Sequence, residues 1–170
     1  MMQMVKWNRT DDLLKPIVSL YQQIWNSNTD GTEQFNRHMD YEGFRGYVCL
    51  DEEEMPVGFA YGYTSLSGQY YRELLTSHLK SDLSNEWLAN CFEFVELCVH
   101  PSVRQKGVGS LLHDSLMKDI PFDTTILTTQ QSNLAARNLY VRKGWIVIDD
   151  SFFPNEKTKE RYLILGKKLS

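Results

Sequence analysis

The sequence is poor in the residue types that mark secreted, metal-binding and nucleic-acid-binding proteins. Among 170 residues there are three cysteines, and 18 basic against 22 acidic residues leave a formal net charge of −4. An odd number of cysteines inside apolar segments argues against a disulfide framework, and the four histidines show no metal-ligand spacing with them. The acidic balance excludes the basic surface of a nucleic-acid-binding domain.

Long apolar runs are missing as well. The N-terminal segment MMQMVKWNRT lacks the apolar core of a signal peptide, and no stretch is long enough to cross a bilayer. We therefore expect a cytoplasmic protein without a membrane partner. A hydrophobic content of 42% over this length favours one domain, residues 1–170, with a substantial core.

The stretch from 91 to 118 carries the strongest pattern in the chain. From Phe92 to Val99 it is apolar or β-branched, interrupted only by Glu93, Glu96 and Cys98. Such a run is typical of a central strand that is buried on both faces. Pro101 follows and ends the strand, because proline has no N–H group to donate to a sheet.

A glycine turn connects this strand to a helix. The turn consists of Arg104, Gln105, Lys106, Gly107, Val108 and Gly109, and Ser110 continues into the helix. The two glycines let the backbone turn tightly, so that its amides and those of the helix start point towards one ligand. With the charges of Arg104 and Lys106 beside them, these amides predict a site for a diphosphate group.

The spacing of apolar residues in the helix predicts which of its faces is buried. The predicted buried face consists of Val108, Leu111, Leu112, Ser115 and Leu116. His113 falls outside this set, so we expect it at the helix surface.

The turn also distinguishes between diphosphate ligands. Leu112 stands where a dinucleotide fingerprint has its third glycine, and the chain contains no GxxxxGK[ST] phosphate loop, which disfavours a nucleotide-binding domain. The strand end and the turn instead resemble the first signature of the GNAT family of N-acetyltransferases, here Leu97-Cys98-Val99-His100-Pro101 followed by Arg104-x-x-Gly107-x-Gly109. In that family the loop amides hold the pyrophosphate of acetyl-CoA.

A second signature of the same family follows after a short apolar strand over 125–129. The sequence Asn133-x-x-Ala136-x-x-x-Tyr140-x-x-x-Gly144-Trp145 is similar to the helix that GNAT proteins carry after this strand. The resemblance implies that acetyl-CoA is the cosubstrate, without a metal. It also implies that backbone groups of Leu97, Cys98 and Val99, together with Asn133, contact the pantetheine. An asparagine at this position is equally suited to cap the helix.

The resemblance implies an α/β (α+β) fold. It would have a mixed, mostly antiparallel sheet of six to seven strands flanked by helices, with acetyl-CoA between two splayed central parallel strands. The elements that we predict outside the two signatures are a strand at Met2 to Trp7, a helix from Leu13 to Trp25 preceded by the capping residues Thr10, Asp11 and Asp12, a turn over 26–31, a short helix over 33–41, a hairpin of Gly46 to Leu50 with Val57 to Thr64, and closing strands at 145–149 and 162–169.

Residues 65–90 form the least regular part of the sequence. A helix over 72–80 is compatible with its spacing. In the GNAT family the equivalent region commonly shapes the acceptor pocket, whereas the plainer interpretation is that its apolar residues pack on the core.

The candidate catalytic groups follow from the chemistry of acetyl transfer to an amine. A lysine-type amine has a pKa near ~10.4, so a base must remove a proton before it attacks. Glu93 and Glu96 lie inside the apolar strand, where burial raises a carboxyl pKa towards neutrality. Strict alternation places Glu93 on the face of Val95, and Glu96 on the opposite face with Cys98.

The two carboxylates compete for the role of base. Glu93 is our first candidate, because it lies fourteen positions before Gly107, where several family members carry their base. Glu96 competes because the family bulges this strand, which shifts the facing of the residues that follow. Tyr140 is the candidate acid that returns a proton to the leaving thiolate. The alternatives are structural carboxylates and a core tyrosine.

The resemblance implies an N-acetyltransferase that works by direct transfer in a ternary complex. The acidic charge favours a cationic small-molecule amine, such as an aminoglycoside or a polyamine, as acceptor. A protein lysine or N-terminal amine is the alternative acceptor, and a non-catalytic acyl-CoA-binding module is the alternative function. Many GNAT proteins form dimers, so a homodimer is compatible with the resemblance.

Overall fold

The computed structural model describes residues 2–9, 12–25 and 31–169. The predicted capping residues Thr10 and Asp11, and positions 26–30 of the predicted turn, lie outside this part. The strands are β1 (Gln3–Lys6), β2 (Arg45–Leu50), β3 (Pro56–Thr64), β4 (Cys91–Val99), β5 (Thr124–Gln130), β6 (Ile146–Phe152) and β7 (Tyr162–Lys168). The α-helices are α1 (Leu14–Trp25), α2 (Thr32–Met39), α3 (Tyr70–His78), α4 (Ser81–Leu88), α5 (Val108–Met117) and α6 (Leu134–Arg142).

The strands form one seven-stranded sheet in the order β1-β2-β3-β4-β5-β7-β6. The pairs β1/β2, β2/β3, β5/β7 and β6/β7 are antiparallel, whereas β4/β5 is parallel. The parallel register runs from Cys91 opposite Thr124 to Glu93 opposite Ile126. These observations confirm the predicted mixed, mostly antiparallel sheet flanked by helices.

Backbone contacts divide the chain into two compact units. Unit 1 comprises residues 1–63 and 95–119, and unit 2 comprises residues 64–94 and 120–170. Strand β4 contributes its first part to unit 2 and its last part to unit 1. The expectation of a single domain over residues 1–170 stays a prediction. No helix among the described residues is long and apolar enough to cross a membrane.

Unit 1 is built around the ring of Trp7, which is 2% exposed. Four aromatic rings surround it with centroids 5.5 to 6.1 Å away, those of Phe35, Phe44, Phe59 and Tyr61. Helix α1 adds Ile17, Val18 and Leu20 to this core. Pro16 is tolerated within the first turn of α1, because the amides there have no partner inside the helix.

In unit 2, helices α3 and α4 pack against the strands. Their apolar residues form a cluster with residues of β4, β5, β6 and β7, namely Leu75, Leu79, Trp87, Leu88, Cys91, Ile126, Phe152 and Ile164. The predicted helix over 72–80 is confirmed as α3, whereas α4 was not predicted. The region 65–90 therefore does pack on the core, and its role in an acceptor pocket stays a prediction.

We expect a Gly166→Ala substitution in β7 to destabilise unit 2. A Cβ atom there would overlap with Ile148 Cδ1 and would lie 2.6 Å from Trp87 Cζ3, so that these side chains must move. Overpacking of this kind costs about 1–3 kcal/mol. Urea denaturation measures the loss, and Ile148→Ala added to Gly166→Ala should recover part of it. An unchanged urea midpoint in Gly166→Ala would contradict the prediction, because it would show that the side chains of Trp87 and Ile148 can accommodate the added Cβ atom.

Candidate active site

Strand β4 departs from regular alternation inside unit 1. Val95 and Cys98 pack against the same cluster around Trp7, although residues three apart in an ideal strand point to opposite faces. The predicted placement of Val95 and Cys98 on opposite faces is therefore wrong. The regular alternation is therefore broken between these two residues.

Glu96 lies on the irregular part of β4 and is partly buried. The Cys98 thiol donates a hydrogen bond to Glu96 Oε1 at 3.4 Å, and the Trp25 side chain contributes as a second donor that lowers the pKa of the carboxyl. Burial raises the pKa of the Glu96 carboxyl to about 7, and the two hydrogen bonds partly oppose that increase. A carboxyl group with this pKa can both accept and release a proton near neutral pH.

Glu93 lies in the part of β4 that belongs to unit 2. Its side chain is 4% exposed, and its Cα is opposite that of Ile126 in the parallel register. The neighbouring Phe94 forms edge contacts with the rings of Tyr140 and Trp145. Glu93 is thus the more deeply buried of the two candidate bases.

Helix α6 carries the two candidate residues of the second signature. Asn133 caps the helix, because its Oδ1 accepts a hydrogen bond from the amide of Ala136 at 3.1 Å. This confirms the capping alternative for Asn133, whereas its contact with pantetheine stays a prediction. Tyr140 is 6% exposed, and its ring centroid lies 5.9 Å from that of Phe94 and 5.8 Å from that of Trp145. Its role as an acid also stays a prediction.

The buried face of α5 differs from the predicted one. Val108, Leu112 and Leu116 are buried as expected, but Leu111 is 58% exposed and His113 is 3% exposed. The predicted surface position of His113 is therefore wrong. The buried face of α5 follows Val108, Leu112 and Leu116, which are four residues apart, and it extends to His113. Leu111 therefore lies on the side of the helix that faces solvent.

The glycine turn presents backbone amides at the start of α5. A 3₁₀-helix (Pro101–Val103) follows β4, and Gln105 and Gly107 then have φ values of 65° and 82°. Gly107 is the N-cap without a side-chain cap, and its carbonyl accepts from the Leu111 amide at 3.0 Å. The amides of Val108, Gly109 and Ser110 precede this first helical hydrogen bond, so they have no partner within the helix.

The positive charges beside the turn are exposed. Arg104 donates from Nε to the Val99 carbonyl at 3.3 Å, which holds its guanidinium at the end of β4. Gln105 and Lys106 are exposed as well, and a Cβ atom built on Gly107 would meet nothing within 4 Å. Open space, unused amides and two cations together fit a diphosphate group.

A comparison with models of protein families shows to which family the chain belongs. Residues 11–145 match the model of the acetyltransferase (GNAT) family. The chain belongs to this family. GNAT acetyltransferases use acetyl-CoA, which agrees with the ligand that the glycine turn fits. A search of curated proteins found no match for this GNAT chain.

Solved structures show the same fold at low sequence identity. The NatC complex bound to Gag peptide and CoA has a chain of TM-score 0.75 and 15% identity, covering 99% of both chains. Arabidopsis thaliana NAA60 in complex with acetyl-CoA has TM-score 0.73 and 15% identity, again with 99% of both chains covered. A putative phosphinothricin N-acetyltransferase has TM-score 0.70 and 17% identity, covering 100% of this chain and 99% of the other.

The residues of the GNAT signature fit the parts of acetyl-CoA by their chemistry. The amides of Val108, Gly109 and Ser110, with Arg104 and Lys106, would hold the diphosphate. Backbone groups of β4 from Leu97 to Val99 would pair with the amide groups of pantetheine. Among the described residues, no group of three or more His, Cys, Asp or Glu side chains could hold a metal ion.

Trp25 was missed in the sequence analysis as part of the site of this GNAT chain, and His100 was named there only as a member of the first signature. Trp25 ends α1, and its side chain lowers the pKa of the Glu96 carboxyl. His100 holds the start of the turn, since its Nδ1 accepts from the Ser102 amide at 3.1 Å, and its Nε2 lies 3.3 Å from Gln23 Nε2. Trp25 and Gln23 belong to a helix far from β4 in the chain, so no local pattern pointed to them.

Proposed function

We propose that this GNAT acetyltransferase transfers the acetyl group of acetyl-CoA directly to a primary amine of a small molecule in a ternary complex. The observation that carries the proposal is Glu96. It is a carboxyl group with a pKa of about 7 on the strand that leads into the glycine turn. Acetyl-CoA supplies an acetyl group that is already activated as a thioester. The protein therefore has to bind, orient and move protons.

We propose Glu96 as the general base and Glu93 as its competitor. At neutral pH a primary amine with a pKa near ~10.4 is mostly protonated, and it attacks only after the proton has left. Glu96 is partly exposed and accepts a proton near neutral pH, whereas Glu93 is 4% exposed and would act through a water molecule. Tyr140 is the proposed proton donor for the departing thiolate.

The net charge of −4 supports a cationic acceptor of the aminoglycoside or polyamine type. Among proteins of this fold, a putative phosphinothricin N-acetyltransferase indicates a small acceptor. The NatC complex with a bound peptide indicates that the same fold also accommodates a polypeptide. A protein lysine or N-terminal amine is therefore the competing acceptor class. A module that binds acyl-CoA without catalysis would not need Glu93, Glu96 and Tyr140.

An acceptor panel tests the proposal. Release of free thiol from acetyl-CoA is followed with spermidine, an aminoglycoside, a peptide with a free N-terminus and an N-blocked peptide containing lysine. We expect a small polyamine or aminoglycoside to give a kcat/KM at least about tenfold above that of either peptide, because ammonium groups complement the acidic chain. A higher value for a peptide would assign a protein acceptor. Thiol release that never exceeds the rate without acceptor, despite acetyl-CoA binding, would indicate a binding module.

A further inference from the structure

The environment of Glu96 contains two hydrogen-bonding side chains that the proposed mechanism does not use. Cys98 lies two residues further along β4, with its Sγ 3.4 Å from Glu96 Oε1. Its side chain is 2% exposed and is fixed within the core cluster around Trp7. The Trp25 side chain acts as a hydrogen-bond donor near both groups and lowers the pKa of the Glu96 carboxyl and of the Cys98 thiol.

The hydrogen-bonding roles within this cluster follow from the chemistry of the three groups. An indole N–H only donates, and a carboxylate only accepts. Burial raises the pKa of the Cys98 thiol well above its usual value, so the thiol keeps its proton and remains a donor at neutral pH. Two donors therefore converge on one carboxyl group, one from its own strand and one from α1.

We propose that Cys98 and Trp25 are positioning residues that hold the Glu96 carboxyl group for proton transfer and so set the pH range in which the enzyme works. The proposal rests on the proposed role of Glu96 as the base. The hydrogen bonds favour the charged carboxylate and offset part of the effect of burial. Arg104 also acts on this cluster, because its positive charge lowers the pKa of the Cys98 thiol.

The Cys98 hydrogen bond can be removed or strengthened at one position. Cys98→Ala removes the donor, so the pKa of Glu96 should rise by roughly 0.5 to 1. Cys98→Ser provides a stronger donor and should lower it. Trp25→Phe keeps an aromatic ring without the N–H group and should raise it. Because Trp25 is 41% exposed, this variant tests the proposal even if Cys98→Ala fails to fold.

The direct measurement is an NMR titration of the full chain with ¹³C-labelled glutamate side chains. The Glu96 signal is the one that disappears in Glu96→Gln. The acid limb of kcat/KM should move in the same direction as the titration midpoint in each variant. Cys49→Ala is the matched control, because it removes a buried thiol from β2 of the same unit and should leave the Glu96 midpoint unchanged.

Opposite shifts in Cys98→Ala and Cys98→Ser support the proposal, since a purely structural role would affect both variants in one direction. Equal Glu96 midpoints in the wild type, Cys98→Ala and Trp25→Phe would overturn it. Full activity of Glu96→Gln would instead overturn the proposed base. In that case the carboxyl titration still decides by itself whether Cys98 and Trp25 hold the carboxyl group.

Discussion

Replacing Glu96 by glutamine is expected to lower kcat by about 10²–10⁴-fold, the usual contribution of a positioned general base. Glutamine keeps the size and hydrogen-bonding shape of the side chain but cannot accept the proton of the amine. In the wild type, kcat/KM should fall as the pH decreases through about 7, because the protonated carboxyl cannot act as a base. This acid limb should disappear from the residual activity of Glu96→Gln.

Glu93→Gln is the matched control for this experiment, since it makes the same chemical change on the same strand. We expect a smaller loss of kcat than in Glu96→Gln, with the acid limb retained. Acetyl-CoA affinity, measured by isothermal titration calorimetry, should change little in either variant. A loss confined to Glu93→Gln would reverse the assignment of the base.

Replacing Gly107 by glutamate is expected to weaken acetyl-CoA binding by at least about 100-fold. The positive φ of 82° disfavours any side chain there, and a carboxylate would stand beside the amides that we propose bind the diphosphate. The introduced carboxylate would repel the negatively charged diphosphate, and the strained turn would no longer present its amides in one direction. Isothermal titration calorimetry with acetyl-CoA measures the change.

Leu111→Glu provides the control for the added charge. Leu111 is 58% exposed and lies one turn further along the same helix, so it adds the same charge without disturbing the glycine turn. We expect acetyl-CoA binding within about threefold of the wild type, because exposed charges are screened by solvent. The wild-type protein should bind ATP and NAD much more weakly than it binds acetyl-CoA. Unchanged binding in Gly107→Glu would place the diphosphate elsewhere.

The sequence predicted most strands and helices because their patterns are local. The hairpin predicted at 46–50 and 57–64 is confirmed as β2 (Arg45–Leu50) and β3 (Pro56–Thr64). Helix α4 was missed because its sequence SDLSNEWL is largely polar and has little periodicity. It packs through Trp87 and Leu88, whose positions depend on β5 and β7.

The candidate site could be predicted only in part. Arg104, Gly107 and Gly109 could be predicted as site residues, because a glycine pattern before a helix is visible in consecutive residues of the sequence. The ranking of Glu93 and Glu96 could not be settled in this way, because a carboxyl pKa depends on burial and on donors from other elements. His113 shows the same limit, since only the packing of α5 decides which polar residue is buried.

The sequence by itself determined the family, the mixed sheet and the glycine turn that we propose as the diphosphate site, all of which depend on contiguous residues and their spacing. Tertiary structure alone decided the face of Cys98, the contact of Trp25 with Glu96 and the resulting pKa of about 7. The physical reason is that proton affinity depends on desolvation and on hydrogen bonds. Both arise here where α1 meets an irregular stretch of β4, two elements that are distant in the chain.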